Sequence, residues 1–158
     1  MKKIKAKLVF DNSIKVAIVA SKFNSLAVDR LVEGAVSTLE QHGISFDNIV
    51  IYEVPGAYEL PLAVKNIASQ SDISGVIALG AVIKGATPHF DYVCSNAASG
   101  IMNVQLDVNK PISFGVLTTN TLEQALERSG SKAGNKGIEA TLAVLEMISL
   151  LQSIQNRL

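Results

Sequence analysis

Four apolar, β-branched runs recur along the chain, at residues 14–20, 48–54, 75–83 and 111–117, and each is followed by a segment with helical spacing. Runs with so little in–out alternation suit strands that are covered on both faces. Helices returning between them make the strands parallel, joined by right-handed crossovers. The pattern predicts an α/β fold: a three-layer sandwich with a central, mainly parallel four-stranded sheet and helices on both faces. The chain has 158 residues, enough for one domain with a real core, and no repeat or linker divides it. Residues 1–12 read as an N-terminal extension or an edge strand.

The helices carry their own punctuation. Val28, Leu31, Val32, Ala35, Val36 and Leu39 recur at intervals of three and four, and His42-Gly43 ends that stripe with a C-terminal turn. His42 there is read as structural. Thr121-Leu122-Glu123-Gln124 is a capping box for a short helix through Arg128. A glycine-rich break at 130–137 precedes the last helix, from about 138 to 155. In it Ala140, Ala143, Val144, Met147, Leu151 and Ile154 form one broad face, with Ile138, Leu142 and Leu145 nearly opposite. A helix apolar on two sides needs two partners, its own sheet and a neighbouring subunit.

Composition excludes several function classes. Lys+Arg and Asp+Glu both number 14, so no basic field points to nucleic acid. No uninterrupted apolar run reaches the roughly 18 residues of a membrane span, and no signal-peptide core follows the basic N-terminus. The single cysteine, Cys94, cannot form an intrachain disulfide, which fits a cytoplasmic setting. At 48% hydrophobic and 18% charged, the chain is apolar for a small monomer, which points to surface hidden in an oligomer.

In an open parallel sheet, ligands bind beyond the C-terminal ends of the strands. Four loops lie there, at residues 21–24, 55–59, 84–89 and 118–120. The first contains no glycine, so the chain lacks a dinucleotide fingerprint, and Ala86-Thr87 stands where a P-loop needs Lys-Ser/Thr. No His or carboxylate cluster has metal-ligand spacing. In Gly80 to Tyr92, a buried strand runs into the small residues Gly85 and Ala86. A helix then starts with Thr87 as N-cap and Pro88 where a missing N–H is harmless. The free N–H groups of His89 and Phe90 would cradle an anion, beside an imidazole able to transfer a proton. Phe23 is a ring that can stack on a planar ligand or pack in the core. Glu59 can serve the helix dipole or accept from a polyol, and Arg128 and Lys136 are either site cations or solvated surface.

Five segments together resemble the lumazine synthase family. They are Ser21-Lys22-Phe23-Asn24, Val54 to Pro61, Gly80 to Tyr92, Pro111 to Thr119 and Ala133-Gly134-Asn135-Lys136-Gly137, in order over nearly the whole chain. The resemblance implies a flavodoxin-like fold. It also implies condensation of 5-amino-6-(D-ribitylamino)uracil with 3,4-dihydroxy-2-butanone 4-phosphate, a step of riboflavin biosynthesis that requires no metal or organic cofactor. By the same resemblance Phe23 stacks on the pyrimidine, while Ala57, Tyr58, Glu59, Ala81, Val82 and Ile83 hold the ring and ribityl chain. Ala86, Thr87 and Arg128 bind phosphate, His89 transfers protons, and Phe114 comes from a neighbouring subunit. Lys136 and Glu139 match further polar residues of the site. Homopentamers are implied, with a sixty-subunit icosahedral shell favoured by the uninterrupted 130–137 segment, and riboflavin synthase is a possible enclosed partner. Asn96, Ser99, Asn120, Lys84 and Tyr58 depart from common family usage. Two alternatives stay open: a riboflavin synthase of the archaeal type, and a flavin-binding shell without chemistry.

Overall fold

The computed structural model describes residues 1–157. Four strands, β1 (Val16–Ser21), β2 (Ile49–Val54), β3 (Gly75–Ile83) and β4 (Ile112–Thr119), form one sheet in the order β2-β1-β3-β4. Every neighbouring pair is parallel. Strand order reverses between β1 and β3, which creates a crevice at their C-terminal ends.

Alternate residues of the central strands feed two cores. Val16, Ile18, Ile77 and Leu79 face one cluster with Leu31 and Leu39 of α1 (Ser25–Gln41) and Val144, Leu145 and Ile148 of α5 (Lys136–Gln155). Ala17, Val19, Val76 and Ala78 face the other, with Leu60 and Val64 of α2 (Leu60–Ala68) and Ala97 and Ile101 of α3 (His89–Val108). The three expected layers follow from this alternation.

Several local expectations are refined. The α5 face that is buried consists of Gly137, Ala140, Thr141, Val144, Leu145, Ile148 and Ser149, whereas Ala143, Met147 and Ile154 are exposed. Leu145 therefore belongs to the core side, because packing against α1 selected among apolar residues distributed all round this helix. The α5 segment is long and apolar enough by composition to cross a membrane, yet it packs on the sheet as a core helix. The glycine-rich break forms a small antiparallel pair, β5 (Ser129–Ser131) with β6 (Gly134–Asn135).

Thr121 caps α4 (Leu122–Glu127) by accepting from Gln124 N at 3.1 Å. Gln124 reaches back to Asn120 N at 2.8 Å, one residue beyond the usual capping-box partner. His42 ends α1 with its Nδ1 2.8 Å from Thr38 O, and Gly43 follows at φ 92°, a turn that glycine adopts without strain. His42 is thus structural. Residues 1–10 form no helix or strand. Phe10 N donates to His42 O at 3.0 Å and Lys7 N to Ser149 Oγ at 2.8 Å, and Leu8 and Phe10 cover the first core.

Candidate active site

The crevice exists because β3 outruns β1. Their registered pairs end at Ala20 and Leu79, whereas β3 continues beside β4 to Ile83. Beyond Ser21 the chain turns toward β2: Lys22 N donates to Val54 O at 2.8 Å and Phe23 N to Pro55 O at 3.2 Å. The first loop thereby leaves Ala81 to Ile83 of β3 without a β1 partner.

A cleft of ≈ 620 Å³ results. It gathers Phe23, Ala57, Tyr58, Glu59, Ala81, Val82, Ile83, Thr87 and His89 from four separate segments. Phe23 is 73% exposed and Tyr58 62% exposed, so neither ring is held in the core. A planar ligand can therefore cover both. The Gly56–Glu59 turn is tight: a side chain at Gly56 would meet Glu59 Oε2 at 3.1 Å. The Glu59 carboxylate thus lies beside a bare stretch of backbone, an acceptor that suits hydroxyl groups.

The anion cradle differs from the expected one in its cap. Pro88 occupies the N-cap of α3, its carbonyl accepting from Asp91 N at 3.0 Å, and Thr87 makes no capping bond. The proline fits because this position needs no N–H, and the helix begins at His89. Thr87 and His89 are both exposed on the cleft wall, with Gly85 open on its Cβ side. Ala86 is exposed in the same turn but does not line the cleft.

The remaining expected residues lie elsewhere. Arg128, Lys136 and Glu139 line a separate depression of ≈ 290 Å³ with Thr118 and Thr119, and share no lining residue with the first cleft. There Lys136 Nζ lies 3.1 Å from Glu139 Oε2, and Arg128 Nη1 donates to Gln124 O at 3.4 Å. Phe114 is half-buried on β4 against the α2–α3 core. Cleft residues that sequence reasoning left without a role are Asn24, Gly56, Tyr92 and Val93. Tyr92 and Val93 follow His89 at i+3 and i+4, a spacing that could have placed them on its face of the helix. Cys94, half-buried on α3, has its thiol pushed upward by burial and by Asp91, and stays protonated at neutral pH.

A doubly wound sheet with an aromatic cleft, a helix-start anion cradle and an exposed imidazole at its switch point defines a small-molecule enzyme of the α/β class. Residues 13–152 match the family described as 6,7-dimethyl-8-ribityllumazine synthase. A protein of that name from Lawsonia intracellularis (strain PHE/MN1-00) is 54% identical over 143 residues, covering 90% of this chain and 91% of the relative. The chain belongs to the 6,7-dimethyl-8-ribityllumazine synthase family.

Proposed function

We infer that the protein is a transferase that condenses 5-amino-6-(D-ribitylamino)uracil with 3,4-dihydroxy-2-butanone 4-phosphate to 6,7-dimethyl-8-ribityllumazine, in riboflavin biosynthesis. Family membership carries this activity. The gathering of stacking ring, polyol acceptor, anion cradle and imidazole in one cleft supports the assignment of its residues. The pyrimidine amine attacks the ketone to give a carbinolamine, which loses water to an imine. Phosphate then leaves, and ring closure with loss of a second water completes the product. Each step moves a proton, the work assigned to His89. Phe23 stacks on the pyrimidine, Tyr58 helps to hold it, and Glu59 accepts from the ribityl hydroxyls. Thr87, with the free N–H groups of His89 and Phe90, receives the phosphate. Holding two reactants in register contributes much of the rate.

Assembly completes the site. The first cleft has an anion cradle but no Arg or Lys in its lining, and the second depression has Arg128 and Lys136 but no cradle. Juxtaposing the second depression and Phe114 of one subunit with the cleft of the next supplies the phosphate with a guanidinium. Exposed Leu62, Met102 and Leu106 on α2 and α3 support burial between subunits. The favoured assembly is a pentamer, packed into an icosahedral shell able to enclose riboflavin synthase. A cytoplasmic location is supported by the lone free thiol.

Mixing the protein with both substrates should produce the lumazine chromophore well above the uncatalysed background; a background rate would remove the enzymatic reading. Sedimentation at neutral pH should give a shell-sized particle, and a mass near one pentamer would rule out the shell.

A further inference from the structure

Asn24 has two features that none of the assigned roles uses. Its backbone is left-handed, at φ 60° and ψ 45°, a region shared among the described non-glycine residues only with Asn109. Its side-chain amide donates to the Ala81 carbonyl at 2.8 Å.

Both features fall where the first loop leaves the sheet. The β1–β3 ladder has no registered pair after Ala20 and Leu79. The next two backbone donors of the first loop, Lys22 N and Phe23 N, both turn to β2 and its following loop. The Ala81 carbonyl, two residues past the last pair, receives the Asn24 amide instead. The left-handed turn at Asn24 also starts α1, its carbonyl accepting from Ala27 N at 3.1 Å and Val28 N at 3.2 Å. Asparagine is the side-chain-bearing residue best suited to combine this backbone with an amide donor.

Phe23 sits between two anchors drawn from different segments of the chain. Its own N–H is held by Pro55, which precedes the Gly56–Glu59 turn, and the next side chain is held by Ala81, on the β3 wall. With its ring 73% exposed, no core packing sets its direction. Resting on the reading of Phe23 as the pyrimidine-stacking ring, we infer that Asn24 is a positioning residue of the reaction. It orients that ring and fixes its spacing from Ala81 through the bond to the Ala81 carbonyl. It acts on the heteroaromatic substrate through Phe23, without contact to reacting atoms.

The test separates the amide from the backbone conformation. Asn24→Gly keeps the left-handed turn accessible and removes the amide; Asn24→Asp keeps the shape and replaces the donor by an acceptor facing Ala81 O. Each should raise KM for the aminouracil about five- to tenfold, as expected for one lost hydrogen bond, with kcat within about twofold. KM for the butanone phosphate should not move. The chain contains no tryptophan, so Phe23→Trp supplies a single emitter at the ring position. Its quenching by the aminouracil should need correspondingly more ligand once Asn24→Gly is added. Phe23→Ala should raise the same KM, and adding Asn24→Gly to it should change nothing further, since no ring remains to position. An unchanged aminouracil KM in both Asn24 variants, with Phe23→Ala impaired, overturns the inference alone. A rise in both KM values that tracks a fall in Tm also overturns it. An unchanged KM in Phe23→Ala overturns the stacking assignment, and the role of Asn24 with it.

Discussion

Gly137→Ala is expected to destabilise the protein by at least about 3 kcal/mol, in the range of severe overpacking. Gly137 lies in the first turn of α5, fully inside the α1–α5 contact. A methyl group there would fall on the Leu31 carbonyl oxygen, within 2.8 Å of Leu31 C and 2.9 Å of Leu31 Cα. These are backbone atoms in the middle of α1, so no side-chain rotation relieves the clash. The two helices would have to separate, and separation also disturbs Asn135. Its Oδ1 caps α5 by accepting from Gly137 N at 2.8 Å, while its Nδ2 donates to Arg30 O at 3.1 Å. Typical domain stabilities are about 5–15 kcal/mol, so the variant would be marginal or unfolded. The urea midpoint reads the effect, with Gly85→Ala as control because nothing lies within 4 Å of its Cβ position. Equal midpoints for the two variants would refute the close helix approach.

His89→Ala is expected to lower kcat by about 10- to 100-fold while leaving fold and assembly unchanged. The size lies toward the low end for acid–base groups because the amine and ketone are themselves reactive once held together. His89 is exposed at the first position of α3 and makes no packing contribution to either core. Its removal should therefore leave the Tm and the sedimentation profile in place. Single-turnover absorbance of the lumazine product isolates the chemical steps from release. A variant with the parent rate would remove His89 from the mechanism and leave orientation and the anion cradle as the sources of catalysis.

The limits of sequence reading show at particular residues. The run from Gly75 to Ile83 is legible as a strand because apolar residues, several of them β-branched, occupy it without interruption. The Thr121 cap and the Gly43 turn are equally legible, since each depends on groups within a few residues. The cap of α3 is Pro88 and not Thr87, because a proline with suitable φ and a free carbonyl can begin the helix one residue later. Asn24 appeared only as part of a motif. Its acceptor, Ala81, is 57 residues away, and nothing local announces that bond.

By itself the sequence determined the element types, the parallel α/β class and, through its five motifs, the family. These depend on periodicity, turn chemistry and residue identity, which are encoded locally. Tertiary structure alone decided which stripe of α5 faces the core, because that helix is apolar on several sides and only contact with α1 and the sheet ranks them. It also decided that the expected site residues divide between two depressions. That division follows from strand order β2-β1-β3-β4, which sets β4 and the Arg128 segment apart from the crevice between β1 and β3. Strand order is a property of non-local pairing, and no local pattern carries it.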